Sequence, residues 1–198
     1  ARSVNTLTLT KERKISGDNT DGAGLVIDLR NNLGFTVTRK RVLILGAGGA
    51  ARGILAPLLT LSPKEIVLAN RTPDRAAAIA AEFGDLGPMR GCGFDEVTPE
   101  PFHLIVNATS ASLQGSVPQV TPRVIDRKTL CYDMAYSAGD TPFVRWAAQH
   151  GCARAVQGWG MLVEQAAEAF WIWRGIRPDT EPVIQALRRH PGAMARAG

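Results

Sequence analysis

The segment RVLILGAGGAARG, residues 41–53, decides the fold. Val42-Leu43-Ile44-Leu45 is a continuous aliphatic run, the composition of a strand buried on both faces of a parallel sheet. Glycines follow at once. In Gly46-Ala47-Gly48-Gly49-Ala50 the chain can turn tightly, and its N–H groups can approach a ligand with no Cβ in the way. Ala51 holds the third small position of a GxGxx(G/A) pattern, and Ile54, Leu55, Leu58 and Leu59 continue at helical spacing. Strand, glycine turn and helix in that order aim the positive end of a helix at the pyrophosphate of a dinucleotide. The glycines alone would describe an ordinary βα turn; the strand and helix on either side favour the nucleotide site.

The next strand carries the cofactor preference. Glu65 to Ala69 (EIVLA) runs into Asn70-Arg71-Thr72-Pro73-Asp74-Arg75. An NAD site usually places an Asp or Glu at this strand end, on the ribose 2′-hydroxyl. Here Asn70 stands there, and Arg71 and Arg75 offer guanidinium groups suited to a 2′-phosphate. NADP is the predicted cofactor. Thr72 as N-cap and Pro73 in the first turn also start a helix, 73–83, with Ala76, Ile79, Ala80 and Phe83 on its buried face. The absence of an acid at position 70 also disfavours a methyltransferase, which shares the glycine turn.

Further strands alternate with helices. Gly84–Gly93 reads as a glycine-punctuated loop with room for a short strand. His103–Val106 delivers Asn107, Thr109 and Ser110, and Leu130–Met134 delivers Met134, Ala135 and Tyr136, to the edge where open α/β sheets bind ligands. A helix over 142–150 and a strand over 154–156 complete the pattern. Without hairpin signals, this predicts a Rossmann-like, doubly wound parallel α/β sheet.

The flanks read differently. Residues 3–10 are β-rich, a strand with nothing before it to pair with, in a chain that begins without Met. The expectation is that the N-terminal part of a larger protein is absent. Ser16–Asn19 reads as a turn, and Thr20 or Asp21 can cap a helix with Leu25, Val26, Leu29 and Leu33 on its apolar face and Gly34 at its end. From Gly158 two helices follow without a strand between them. Leu162, Ala166, Ala169, Phe170 and Trp173 form an apolar stripe, with Met161, Gln165 and Glu168 beside it. The first turns can reach the cleft, and the helices are expected to pack away from the sheet. The predicted organisation is 1–20 as the end of a substrate domain, 21–157 as the NADP-binding domain, and 158–198 as helices packing with the substrate domain, so that one strand and the closing helices are remnants of a second α/β domain.

Composition bounds the alternatives. At 198 residues, 45% hydrophobic and 21% charged, the chain is long enough to bury a core and reads as globular. It has no membrane-length apolar run and no signal-peptide layout. Cys92, Cys131 and Cys152 are odd in number and scattered, which points to a reducing, cytoplasmic setting without a disulfide framework or metal cluster. The net charge of +5 suits a small anionic molecule and is too diffuse for nucleic acid; Arg39-Lys40-Arg41 and Arg188-Arg189 read as solvated surface.

Taken together, Val4-Asn5-Thr6, Asp18-Asn19-Thr20-Asp21-Gly22, Gly46–Ala50, Asn70-Arg71-Thr72, Asn107-Ala108-Thr109-Ser110, Tyr132-Asp133-Met134 and Gly160-Met161-Leu162 through Gln165 resemble the shikimate dehydrogenase family, in family order and over essentially the whole chain. The resemblance implies metal-free, reversible hydride transfer between 3-dehydroshikimate with NADPH and shikimate with NADP, by a monomer or homodimer. It implies an acid-base and substrate role for Asp21, and substrate contacts for Asn5, Tyr136 and Gln165. Cofactor contacts are expected from Gly46–Ala50, Asn70, Arg71, Thr72, Arg75, Asn107, Thr109, Ser110, Met134, Gly158, Met161 and Leu162. Helix capping is the competing role for Asp21.

Two departures stand out. The family's paired serines and its catalytic lysine, about twenty residues before the VNT segment and so one strand and loop away, have no counterpart; the lysines are Lys11, Lys14, Lys40, Lys64 and Lys128. The segment Ser110-Ala111-Ser112 lacks the glycine expected after Asn107–Ser110. The chain alone is therefore expected to bind NADP and to turn over substrate poorly. A quinate-accepting relative that uses NAD, and a non-catalytic NADP-binding module, are the alternatives.

Overall fold

The computed structural model describes residues 2–189. Six strands form one parallel sheet: β3 (Arg41–Leu45), β4 (Glu65–Asn70), β5 (Met89–Gly93), β6 (Leu104–Asn107), β7 (Leu130–Asp133) and β8 (Arg154–Gln157). Their order is β5-β4-β3-β6-β7-β8. The chain winds outward from β3 in one direction and then, from β6, in the other. The gap between the carboxyl ends of β3 and β6 is thus the point where the winding reverses and a ligand crevice opens. The loop over 84–93 does hold a strand, β5, which pairs with β4 from Ile66↔Met89 to Asn70↔Gly93.

Alternate residues of each strand feed two cores. Val42 and Ile44 face one way with Ile54, Leu55 and Leu58 of α2 (Gly49–Leu59), Leu25 of α1 (Asp21–Ile27), Leu29 just beyond it, and Ile79 and Phe83 of α3 (Pro73–Phe83). Leu43 and Leu45 face the other way with Phe102, Val124, Ile125, and Phe143 and Ala147 of α4 (Pro142–Gln149). Burial on both faces explains why β3 is aliphatic throughout and shows no alternation.

Four expectations are corrected. The N-terminal strand has a partner: β1 (Thr6–Leu9) pairs antiparallel with β2 (Ile15–Asp18), so the segment expected as a turn is largely strand. The turn lies earlier, where Lys14 O accepts from Thr10 N at 2.8 Å and Arg13 takes φ 60°. Such a turn, with no Gly or Asn-Gly, gives no hairpin signal. The helix from Asp21 does not run unbroken to Leu33: after Ile27 it widens into a π turn over Asp28–Asn32, and Gly34 then adopts φ 66°. Neither Thr20 nor Thr72, both at N-cap positions, makes a side-chain cap bond. The Thr20 hydroxyl is used elsewhere, in the cluster described below.

The fourth correction concerns α5 (Trp159–Arg174). The face it buries is Met161, Glu164 and Ala167, together with Ala169, while Phe170 and Trp173 of the expected stripe are exposed. A polar residue on the inward face hid that face from the pattern. Glu164 is 2% exposed and receives Arg177 at 2.6 Å, Thr180 at 2.9 Å and Asn32 at 3.1 Å. The helix lies along α1, which itself rests on α2. The last helix, α6 (Glu181–Arg189), turns Ile184 and Leu187 inward. Residues 190–198 of the predicted closing segment, and the Arg188 side chain, lie outside the described residues.

Candidate active site

A cavity of about 1320 Å³ opens over the carboxyl ends of the central strands. Its floor is the glycine turn. Gly46 takes φ 104°, and a Cβ there would stand 2.9 Å from Thr109 Cγ2 and 3.0 Å from Ala108 O, so the turn after β3 can press against the turn after β6 only as glycine. Gly48 begins α2 without a side-chain cap, and the space where its Cβ would stand is open. A backbone cradle backed by a helix N-terminus, with room above it, fits a pyrophosphate.

On the β4 side the wall is Asn70, Arg71, Arg75 and Phe94. The Asn70 amide is structural as well as exposed to the cavity: its Oδ1 accepts from Ala47 N at 3.3 Å and its Nδ2 donates to Thr72 O at 3.1 Å. It thereby ties the glycine turn to the loop that carries Arg71 and leads into α3, where Arg75 stands. Arg71 and Arg75 form no ion pair with a described residue, so two guanidinium groups face the cavity uncompensated. Such a donor pair fits a 2′-phosphate. Thr72 does not line the cavity.

On the other side Asn5, Asp21 and Gln165 meet. Asn5 Nδ2 donates to Asp21 Oδ1 at 2.8 Å and to Gln165 Oε1 at 3.4 Å. The Thr20 hydroxyl donates to Gln165 Oε1 at 3.1 Å and approaches Asn5 Oδ1 at 3.2 Å. These residues come from the hairpin, the start of α1 and the second turn of α5, 160 positions apart at the extremes. Close helix packing makes this possible. A Cβ on Gly24 of α1 would lie 2.7 Å from Gln165 Cβ and 2.9 Å from Met161 O. Met161, Leu162, Met134, Gly158 and Tyr136 complete this end of the cavity, and the Tyr136 ring packs on Trp159 with centroids 4.4 Å apart.

Thr109 and Ser110 line the cavity, whereas Asn107 is fully buried beneath it. Asn107 Oδ1 accepts from both Thr109 N and Thr109 Oγ1, at 3.2 and 2.7 Å, which fixes the loop from inside. Sequence reasoning missed the rest of that wall: Ala111, Leu113, Gln114 and Ser116–Gln119 also face the cavity. Their residue types carry no signal; only their position after a strand that ends at the crevice does. The buried acid Asp28 was missed too. It is 3% exposed and accepts from Tyr132 Oη at 2.6 Å and Asn32 Nδ2 at 2.9 Å. Burial, with the Asp28 charge beside it, pushes the Tyr132 phenol well above its ordinary pKa, so it stays a donor.

None of the five lysines lines the cavity, and among the described residues no group of three or more His, Cys, Asp or Glu side chains is placed to hold a metal ion. No described helix is long and apolar enough to cross a membrane.

Known proteins resemble this chain in sequence and in fold. The family described as Shikimate / quinate 5-dehydrogenase matches residues 29–126, and Shikimate 5′-dehydrogenase C-terminal domain matches residues 158–188. A shikimate dehydrogenase (NADP(+)) of Methylococcus capsulatus is 54% identical over 187 residues, which are 94% of this chain and 67% of the relative. Among solved structures, an Ael1 enzyme from Pseudomonas putida is 44% identical with a TM-score of 0.86, covering 94% of this chain and 68% of that one. A shikimate 5-dehydrogenase from Thermus thermophilus, solved with NADP(H) and shikimate, is 31% identical with a TM-score of 0.74, covering 94% of this chain and 67% of that one.

Proposed function

The chain belongs to the shikimate dehydrogenase family, and from that premise we propose that it carries the NADP site and part of the substrate site of an enzyme interconverting 3-dehydroshikimate and shikimate. The observation that carries this is the single cavity with two chemically distinct ends. One end offers uncompensated arginines and a glycine cradle; the other offers a carboxyl group and two amides already hydrogen-bonded to one another. A dinucleotide and a polyhydroxylated ring are the pair of ligands such a cavity accommodates.

NADP would lie with its 2′-phosphate at Arg71 and Arg75 and its pyrophosphate over Gly46–Ala50, and when bound it supplies the hydride acceptor. The chain's own residues prepare the substrate. Ring hydroxyls would take over the long bond, 3.4 Å, between Asn5 Nδ2 and Gln165 Oε1, so that the two amides hold the carbinol carbon in one orientation. Asp21 Oδ1 is occupied by Asn5, while Oδ2 has no hydrogen bond to a described residue and is the acceptor for a substrate hydroxyl proton. Tyr136, backed by Trp159, stands at the same end as a further contact for the substrate. With no lysine lining the cavity, the acid-base group it offers at this end among the described residues is Asp21, and turnover by this chain is slow. In this reading residues 21–157 are the cofactor domain, and the hairpin and closing helices belong to the substrate side; the bond from Trp173 Nε1 to Leu7 O, 3.0 Å, supports grouping the last two.

Titration with NADP and with NAD, followed by the fluorescence of the four tryptophans, tests the cofactor half. Saturable binding with a clear NADP preference is expected, and binding of neither would remove the proposal. Shikimate oxidation at saturating NADP tests the rest: Asp21→Asn should abolish the residual rate, and an unchanged rate would exclude Asp21 from the proton step.

A further inference from the structure

The loop over residues 108–119 forms one wall of the cavity, yet it contains only a single short 3₁₀ turn, Ser112–Gln114. Something other than regular structure must hold it. Ala111 and Leu113 line the cavity; Ser112 between them points the opposite way and is 9% exposed. Its Oγ donates to Asp133 Oδ2 at 2.6 Å and accepts from Asn107 Nδ2 at 3.2 Å.

Asp133, at the end of β7, is fully buried and is the centre of the arrangement. Its Oδ1 accepts from Asn107 Nδ2 at 3.0 Å and Ala135 N at 3.1 Å, and its Oδ2 accepts from Ser112 Oγ and Thr141 Oγ1, both at 2.6 Å. Four donors from four segments converge on one carboxyl group. Two of those segments, the loop after β6 and the loop after β7, line the cavity. A fully satisfied buried network of this kind resists rearrangement, because any movement leaves a buried polar atom unpaired.

We propose that Ser112 is a positioning residue that latches the 108–119 wall to Asp133 and thereby holds the part of the cavity that receives the nicotinamide half of the cofactor. The hydroxyl is what matters: an alanine would fill nearly the same space and leave both Asp133 Oδ2 and Asn107 Nδ2 one partner short. The adenine half, at Arg71 and Arg75 across β3, is outside the latch's reach. The inference rests on the NADP site proposed above.

The test compares the full chain with Ser112→Ala in two measurements. Hydrogen–deuterium exchange without ligand should speed up in peptides from 108–119 and stay unchanged in β3 and β4. Affinity for NADPH should fall about tenfold, the lower end of the range for one lost hydrogen bond to a charged group, and the dihydronicotinamide emission of the bound cofactor should approach that of free NADPH. Affinity for adenosine 2′-monophosphate, which has no 5′-phosphate and occupies only the arginine end, should not change. Unchanged exchange overturns the latch whatever the ligand. Faster exchange with unchanged NADPH affinity overturns the positioning role, and equal weakening of both ligands shows a general structural effect and overturns it as well. If the unsubstituted chain binds neither ligand, the proposed NADP site fails, and with it the positioning role, while the exchange measurement still decides the latch.

Discussion

Removing the two guanidinium groups at the end of β4 should convert NADP preference into indifference. Arg71 and Arg75 both face the cavity and pair with no described acid, so their charge is available to a ligand and their loss creates no orphaned partner. A hydrogen bond to a charged group contributes about 1.5–3 kcal/mol, and exposure to solvent ions places these two near the lower value. Arg71→Ala or Arg75→Ala alone should therefore raise the NADP dissociation constant about tenfold, and the pair about a hundredfold. NAD, which has no 2′-phosphate, should bind within about twofold of the unsubstituted chain. Asn70→Asp should push in the same direction by another route. A carboxylate can still accept from Ala47 N but cannot donate to Thr72 O, and it repels a phosphate while accepting from a ribose hydroxyl. Calorimetric titration with both cofactors at two salt concentrations is the assay, and the NADP advantage of the unsubstituted chain should shrink at high salt. A parallel fall in NADP and NAD affinity would refute the reasoning, since it would mean that the arginines shape the loop and do not read the phosphate.

Other consequences concern the scaffold. Tyr132→Phe takes one donor from the buried Asp28 with almost no change in volume, so thermal unfolding should occur about 4–8 °C lower, corresponding to about 2 kcal/mol; an unchanged midpoint would mean that the bond contributes nothing. Gly24→Ala places a Cβ 2.7 Å from Gln165 Cβ and 2.8 Å from Gln165 N, against backbone that cannot swing aside. A loss of about 1–3 kcal/mol in urea unfolding is expected, and equal stability would show that α5 shifts at no cost. The neighbouring Cys131 thiol pulls the Cys152 pKa down, to about 7, against its burial. Alkylation of Cys152 should therefore rise with pH around neutrality, slow below about 7 and fast above it, and Cys131→Ala should move that midpoint upward. A midpoint unaffected by Cys131→Ala would assign the shift to the neighbouring backbone N–H groups.

The sheet was legible because its strands are short aliphatic runs buried on both faces and separated by helices, a pattern that needs no knowledge of tertiary contacts. The cofactor end was legible for a related reason: in this topology the residues that line the crevice stand at or just after a strand end, so Gly46, Asn70, Thr109 and Met134 could be named as candidates from chain position alone. The hairpin was not legible, because its turn over Thr10–Lys14 has no glycine and β2 is Ile-Ser-Gly-Asp, exposed throughout. The inward face of α5 was missed because Glu164 is inward only by virtue of Arg177, Thr180 and Asn32, three partners that no local pattern supplies. The polar cluster of Asn5, Asp21 and Gln165 was named from resemblance; spacing alone favoured helix capping for Asp21.

Those buried acids explain how residues so distant in sequence keep a common geometry. Glu164 immediately precedes Gln165, and successive residues of a helix point about 100° apart. Pinning Glu164 inward therefore fixes which way Gln165 points, toward Thr20 and Asn5. Asp28 fixes the other side of the same contact, because its bond to Tyr132 fastens the end of α1 to β7 of the sheet. Buried carboxyl groups are costly to desolvate and add little net stability compared with apolar packing. What they supply is direction: an apolar face can slide by a fraction of a turn with little penalty, whereas a carboxyl group with several donors cannot. The substrate end of the cavity is assembled from three separate elements outside the six-stranded sheet, and each helix that contributes to it is oriented by a buried acid. The cofactor end is built on the sheet itself, and there the buried acid Asp133 holds the 108–119 loop.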